Sequence, residues 1–147
     1  MPSLSNLKIF PVNLSKDWDG VFGSFWKAWS TPRQAPIIVT FPHIGEGGPK
    51  EAAAFSAKKS QYLAAARTSP RQMWFKLVDI EKSLIVGGIC MTHWKDEENP
   101  RNMPNTPHDG FQPGSQLQMM SKQLYGKFDM WHRQIMKGRE HICELPS

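Results

Sequence analysis

A chain of 147 residues with 39% hydrophobic content can bury one ordinary core, which predicts a single α/β (α+β) domain over 1–147 and no membrane span. Its two cysteines, Cys90 and Cys143, are too few for a disulfide framework and suit a reduced compartment, so a soluble protein of the cytoplasm or nucleus is expected. The formal net charge of +5 fits an anionic cofactor, nucleic acid or plain solubility, and selects none of them. The opening MPSLSNLKIFPVNLS is broken by polar residues and Pro11, unlike a targeting segment.

In LKIFPVN, Leu7, Ile9 and Val12 come close to period two, which predicts a short first strand that Pro11 places at a sheet edge or ends. Asp17 is the expected cap of a helix whose Trp18, Val21, Phe22, Phe25 and Trp29 recur at helical spacing and which stops before Pro32. Residues 31–49 are rich in proline and glycine and read as an ordered, irregular loop. Within it, GEGG at 45–48 has the glycines of a phosphate cradle, but it lacks the P-loop ending and carries Glu46, so a loop and helix cap is preferred. Pro49 suits the first turn of a second helix through EAAAFSAKKSQYLAAAR, which Ser69-Pro70 stops.

MWFKLVDI and LIVGGICMTHW are then expected as antiparallel strands joined by EKS, with Gly87 and Gly88 marking a bulge or a close backbone approach. Residues 95–114 are polar, contain four prolines and predict a long surface loop. Ser115 and Gln118 form a capping box for a last helix, in which Leu117, Met120, Leu124, Phe128, Trp131 and Ile135 define a stripe expected to be buried and Gly138 closes the end. HICELPS begins like a strand and stops at Pro146.

Three constellations carry possible chemistry. Cys90, His93, His141 and Cys143 supply metal-type ligands in two close pairs, but residues three apart on a strand point to opposite faces, so no metal site is expected and buried cysteines are preferred. A Cys/His nucleophile pair from the same residues lacks an orienting third group. Lys122, Lys127, Arg133, Lys137 and Arg139, beside Trp131 and His132, have the mix that holds nucleic acid, yet a solvated basic face is the preferred reading.

Taken in order, FWKAW (25–29), FPHIG (41–45), FKLVDIEKSLIVGG (75–88), PGSQLQMMSKQLYGKF (113–128) and GREHICEL (138–145) resemble the N-terminal half of a GNAT-family N-acetyltransferase of the kind common in filamentous fungi. The resemblance implies a partial GNAT-like (acyl-CoA N-acyltransferase) fold, a mostly antiparallel sheet with flanking helices. In it the hairpin supplies the second and third strands and residues from 141 begin the fourth. It also implies acetyl-CoA as cofactor and a small-molecule or peptide amine as acceptor. Phe41 and His43, and His93 and Trp94 at the end of the third strand, lie where such enzymes often form the acceptor pocket. Ser83 stands where the family tends to have glycine, and no Q/R-x-x-G-x-G/A loop for the cofactor pyrophosphate follows residue 141. The expectation is therefore a truncated transferase that is weak or inactive alone, with no catalytic or cofactor residue assigned. The alternative is a non-catalytic module that self-associates or captures a partner through an open sheet edge.

Overall fold

A computed structural model describes residues 6–94, 110–136 and 141–144. The described elements are β1 (Leu7–Pro11), α1 (Trp18–Ser30), α2 (Ala35–Ile38), α3 (Gly48–Thr68), β2 (Gln72–Asp79), β3 (Leu84–Trp94), α4 (Gln116–Met136) and β4 (His141–Glu144). The strands form one sheet in the order β1-β2-β3-β4, every neighbouring pair antiparallel. The chain is thus α+β, and among its described residues no helix is long and apolar enough to cross a membrane.

Pro11 sits at the end of β1, an edge strand, where the missing N–H costs no ladder bond inside the sheet. Asp17 stands at the N-cap of α1, but its side chain accepts no capping hydrogen bond. Its Oδ2 accepts instead from the Asn13 backbone N–H at 2.8 Å and from Lys76 Nζ at 2.7 Å, tying the β1–α1 turn to β2. The Lys76 hydrogen bond holds the Asp17 carboxyl below its ordinary range.

The aromatic spacing of α1 does what it predicts. Trp18, Val21 and Phe22 are buried, Trp26 joins them, and Phe25 and Trp29 pack against the same cluster half-buried. Phe22 lies within 5.5–6.1 Å, ring centre to ring centre, of Trp18, Phe25, Trp26, Phe55 and Tyr62. Such tilted rings gain edge-to-face attraction beyond the burial of their area. The segment expected as irregular loop contains the single-turn α2, and Ile37, Phe41 and Ile44 insert into the same core. Proline and glycine obscured this because the three apolar residues follow no strand or long-helix period.

Asp79 Oδ1 accepts from the backbone N–H groups of Glu81 and Lys82, shaping the turn between β2 and β3. Ser83 then takes φ 51°, a left-handed conformation that glycine adopts without steric cost. The register shifts between Leu77 and Val78, so β3 carries one extra residue near Gly87. Gly88 marks the close approach, since a Cβ there would lie 2.6 Å from Val21 Cγ1.

The final helix corrects an expectation. Its capping signal is real: the Gln118 N–H donates to Ser115 Oγ at 3.2 Å, although Gln118 Oε1 returns to the Gly114 N–H rather than to Ser115. Of the stripe expected to be buried, Leu117 is 40%, Met120 47% and Ile135 58% exposed and Leu124 is half-buried, while the side chains of Phe128 and Trp131 lie outside the described residues. Ser121 is fully buried instead, and Tyr125, one turn on, contacts the core side. At 3.6 residues per turn this inward face is rotated by roughly 80° from the apolar stripe. Of the loop expected over 95–114, residues 95–109 lie outside the described residues, as does Gly138, while Phe111 is buried.

Candidate functional site

Alternation along β3 divides the sequence-derived site residues between two faces. Gly88 faces α1, and Cys90 and Thr92 follow on the same face, which places His93 on the other. Phe41 belongs to the core on the helical side, 1% exposed, with its ring 5.5 Å from Phe25, 5.8 Å from Trp26 and 5.9 Å from Tyr62. His93 donates its backbone N–H to the Arg71 carbonyl at 3.1 Å and lies opposite Ile142 in the ladder. Trp94 ends β3 opposite His141, and its side chain lies outside the described residues. Phe41 and His93 are therefore not brought onto one surface.

His43 occupies the loop before α3 with φ 65°, a left-handed backbone uncommon for a side chain of this size. Its Nδ1 is 2.9 Å from Glu46 Oε2, while Arg33 donates to Glu46 Oε1 at 3.2 Å. The His43 hydrogen bond, with the Arg33 guanidinium nearby, holds the Glu46 carboxyl below its usual range. The glycines at 45–48 serve as a helix entry. The Gly47 N–H donates to Glu51 Oε2 at 2.6 Å, and Glu51 Oε1 accepts from Trp26 Nε1 at 2.7 Å. Glu51 thus occupies the position an anion would take at this helix N-terminus, and the Trp26 hydrogen bond is the main reason its carboxyl is held low.

Groups with unspent hydrogen-bonding capacity lie elsewhere, on β3 and on α4. Thr92, 4% exposed, and Ser121, fully buried, have hydroxyl oxygens without a hydrogen-bond partner among the described residues. An unpaired buried hydroxyl costs about 1–3 kcal/mol. Tyr125, one turn beyond Ser121, donates its hydroxyl to Thr40 Oγ1 at 3.2 Å. Burial pushes the Tyr62 phenol far above its ordinary value, with Tyr125 and Cys90 adding to the effect, and burial raises Tyr125 as well. Both phenols stay protonated at neutral pH, and neither is a base there.

A cavity of about 20 Å³ lies between α1, α3 and the sheet, lined by residues that include Phe22, Phe25, Tyr62, Trp74, Gly88 and Cys90. Cys90 belongs both to this wall and to the β3 face that carries Thr92. Among the described residues no three His, Cys, Asp or Glu side chains gather as metal ligands, and the side chains of His141 and Cys143 lie outside them. Sequence reading missed Thr92, Ser121 and Tyr62. The available signal was a small hydroxyl residue inside an apolar run, Thr92 after GGICM and Ser121 after QLQMM.

No family of proteins, no curated protein and no solved structure matches this chain. The reading of its function rests on its own residues.

Proposed function

We propose that the chain is the antiparallel half of a GNAT-type, acetyl-CoA-dependent N-acetyltransferase, weak or inactive alone because the cofactor loop is absent, and that it contributes the side on which an amine acceptor binds. The observation that carries the reading is the strand arrangement. β1, β2, β3 and β4 lie side by side in chain order, with helices between β1 and β2 and, among the described residues, α4 between β3 and β4. That is the arrangement the motif resemblance implies, including the antiparallel docking of residues from 141 on the third strand. The bulge near Gly87, the left-handed Ser83 and the close approach at Gly88 add local support, since they fall in the stretch most similar to the family's hairpin.

In this reading acetyl transfer requires an uncharged amine nitrogen to attack the thioester carbonyl, forming the C–N bond as the C–S bond breaks and the thiolate leaves with a proton. No stretch of the sequence matches Q/R-x-x-G-x-G/A, so affinity of this chain for the cofactor is expected to be low. The test is a thermal titration of the purified chain with acetyl-CoA, desulfo-CoA and ATP. A saturable rise in Tm with both CoA ligands and none with ATP is the expected result. A cooperative melt that moves with none of the three overturns the reading.

A second reading, a non-catalytic module that binds through a sheet edge, draws on β4. Among the described residues it pairs with β3 alone, and its Ile142 is 58% exposed. Open strands of this kind are templates for self-association. Size-exclusion chromatography over a concentration series separates the two, because a monomer at every concentration argues against edge pairing.

A further inference from the structure

The free side of β1 carries a defined pattern of backbone groups. The Val12 N–H donates to the Trp74 carbonyl and the Ile80 N–H to the Asn6 carbonyl, so the even-numbered residues of this stretch bond β2. Hydrogen-bonded and non-bonded pairs alternate along an antiparallel ladder, so Leu7, Ile9 and Pro11 turn their backbone groups away from the sheet. Among the described residues β1 pairs with β2 alone, and Lys8, Ile9, Phe10 and Pro11 are all exposed. Ile9 is 70% exposed, more than any other large apolar side chain among the described residues. The edge thus presents the N–H groups of Leu7 and Ile9 and the carbonyls of Leu7, Ile9 and Pro11 beside a bare isoleucine. Groups that recur every second residue, roughly 7 Å apart, match another extended backbone.

We propose that β1 pairs with β1 of a second copy of this chain, antiparallel about a two-fold axis at Ile9, so that two sheets become one. An axis there pairs the strand over its whole length and sets Ile9 opposite the partner's Ile9 and Leu7 opposite the partner's Pro11. The two Ile9 residues exchange both backbone hydrogen bonds, and each Leu7 N–H donates to the Pro11 carbonyl facing it. Pro11 takes part as an acceptor only, so the return bond to each Leu7 carbonyl is missing, which keeps the association weak and concentration-dependent. Ile9 pairs with Leu77, whose neighbour Lys76 shares the face of Gly88 and α1, so the two Ile9 side chains meet on the opposite face of the sheet. There they form a cross-strand apolar pair that shields both from water. The contact is isologous and closes on itself. It makes no use of acetyl-CoA and stands apart from the transferase reading; it narrows the edge-binding reading to one partner and moves it from β4 to β1.

The experiment is sedimentation velocity of the full chain in a concentration series up to about 1 mM, run beside Ile9→Lys and Ile142→Lys. Both side chains are exposed, so neither change disturbs the core. The parent should dimerise as concentration rises, Ile9→Lys should weaken the dimer about tenfold or more by setting like charges opposite each other, and Ile142→Lys should leave it unchanged. Cysteine cross-linking then reads the register. Under mild oxidation Ile9→Cys should give a disulfide-linked dimer in much higher yield than Lys8→Cys or the parent, since only residue 9 faces itself across the axis. A parent that stays monomeric throughout the series overturns the proposal, and leaves the transferase reading to its own titration with acetyl-CoA. A dimer weakened by Ile142→Lys and not by Ile9→Lys overturns it in favour of β4. Equal cross-linking of Ile9→Cys and Lys8→Cys overturns the axis at Ile9.

Discussion

The two helices that flank the middle of the chain's fold bury apolar residues very differently. On α1 the residues spaced for burial pack inward: Trp18, Val21 and Phe22 are no more than 3% exposed, Phe25 and Trp29 are half-buried against the same cluster, Trp26 joins them, and α3 and the 37–44 segment close over them. On α4 Leu117, Met120 and Ile135 of the apolar stripe are 40–58% exposed and Leu124 is half-buried, while Ser121 is fully buried and Tyr125 reaches Thr40. Both sequences announce an amphipathic helix. The difference teaches that periodicity reports a face able to be buried, while the partner that buries it must come from elsewhere in the fold.

The sharpest way to break this comparison is to truncate both helices. Phe22→Ala removes the ring at the centre of the aromatic cluster and should cost about 3–5 kcal/mol in chemical denaturation. Met120→Ala on α4 should cost less than about 1 kcal/mol, and comparable losses from the two would contradict the contrast. Next in size is Gly88→Ala. The added methyl would meet Val21 at a distance no real contact shows, and relief requires moving α1 against β3, so a loss of about 1–3 kcal/mol is expected.

Acid sharpens the same picture at the entry to α3. The Glu51 carboxyl is held below its ordinary value of 4.5 in the folded chain, so unfolding takes up a proton as the pH falls. Its contribution is complete above about pH 4.5 and is lost as the pH falls through the lowered folded value. Asp17 and Glu46 act in the same direction. Melting curves of Glu51→Gln should accordingly fall less steeply than those of the parent between neutral pH and pH 3. Smallest and of opposite sign is Ser83→Gly. Replacing a side chain held at φ 51° should raise stability by about 0.5–1 kcal/mol, read from the denaturation midpoint.

Much of the framework was legible because local chemistry announced it. Pro11, Pro49 and Ser69-Pro70 mark the ends of elements, GlyGly at 87–88 marks the bulge and the tight contact, and HICE pairs as the expected fourth strand. The inward turn of α4 was not legible, because a stripe of Leu, Met and Ile outweighs one serine in any periodicity argument. The candidate site was hidden for a related reason. Phe41 and His43 were marked by loop position, but Phe41 is core and His43 is taken up with Glu46. Thr92 and Ser121 acquire meaning only once folding shows them buried and unpartnered, a property of three-dimensional surroundings that no spacing encodes.

The central claim is that a dense aromatic core around α1 is held more tightly than α4, and native-state hydrogen exchange tests it most directly. Amides of α1 and β2 should exchange only through global unfolding, while those of α4 exchange through openings of much lower free energy. Exchange of α4 at the same free energy as α1 would contradict the account.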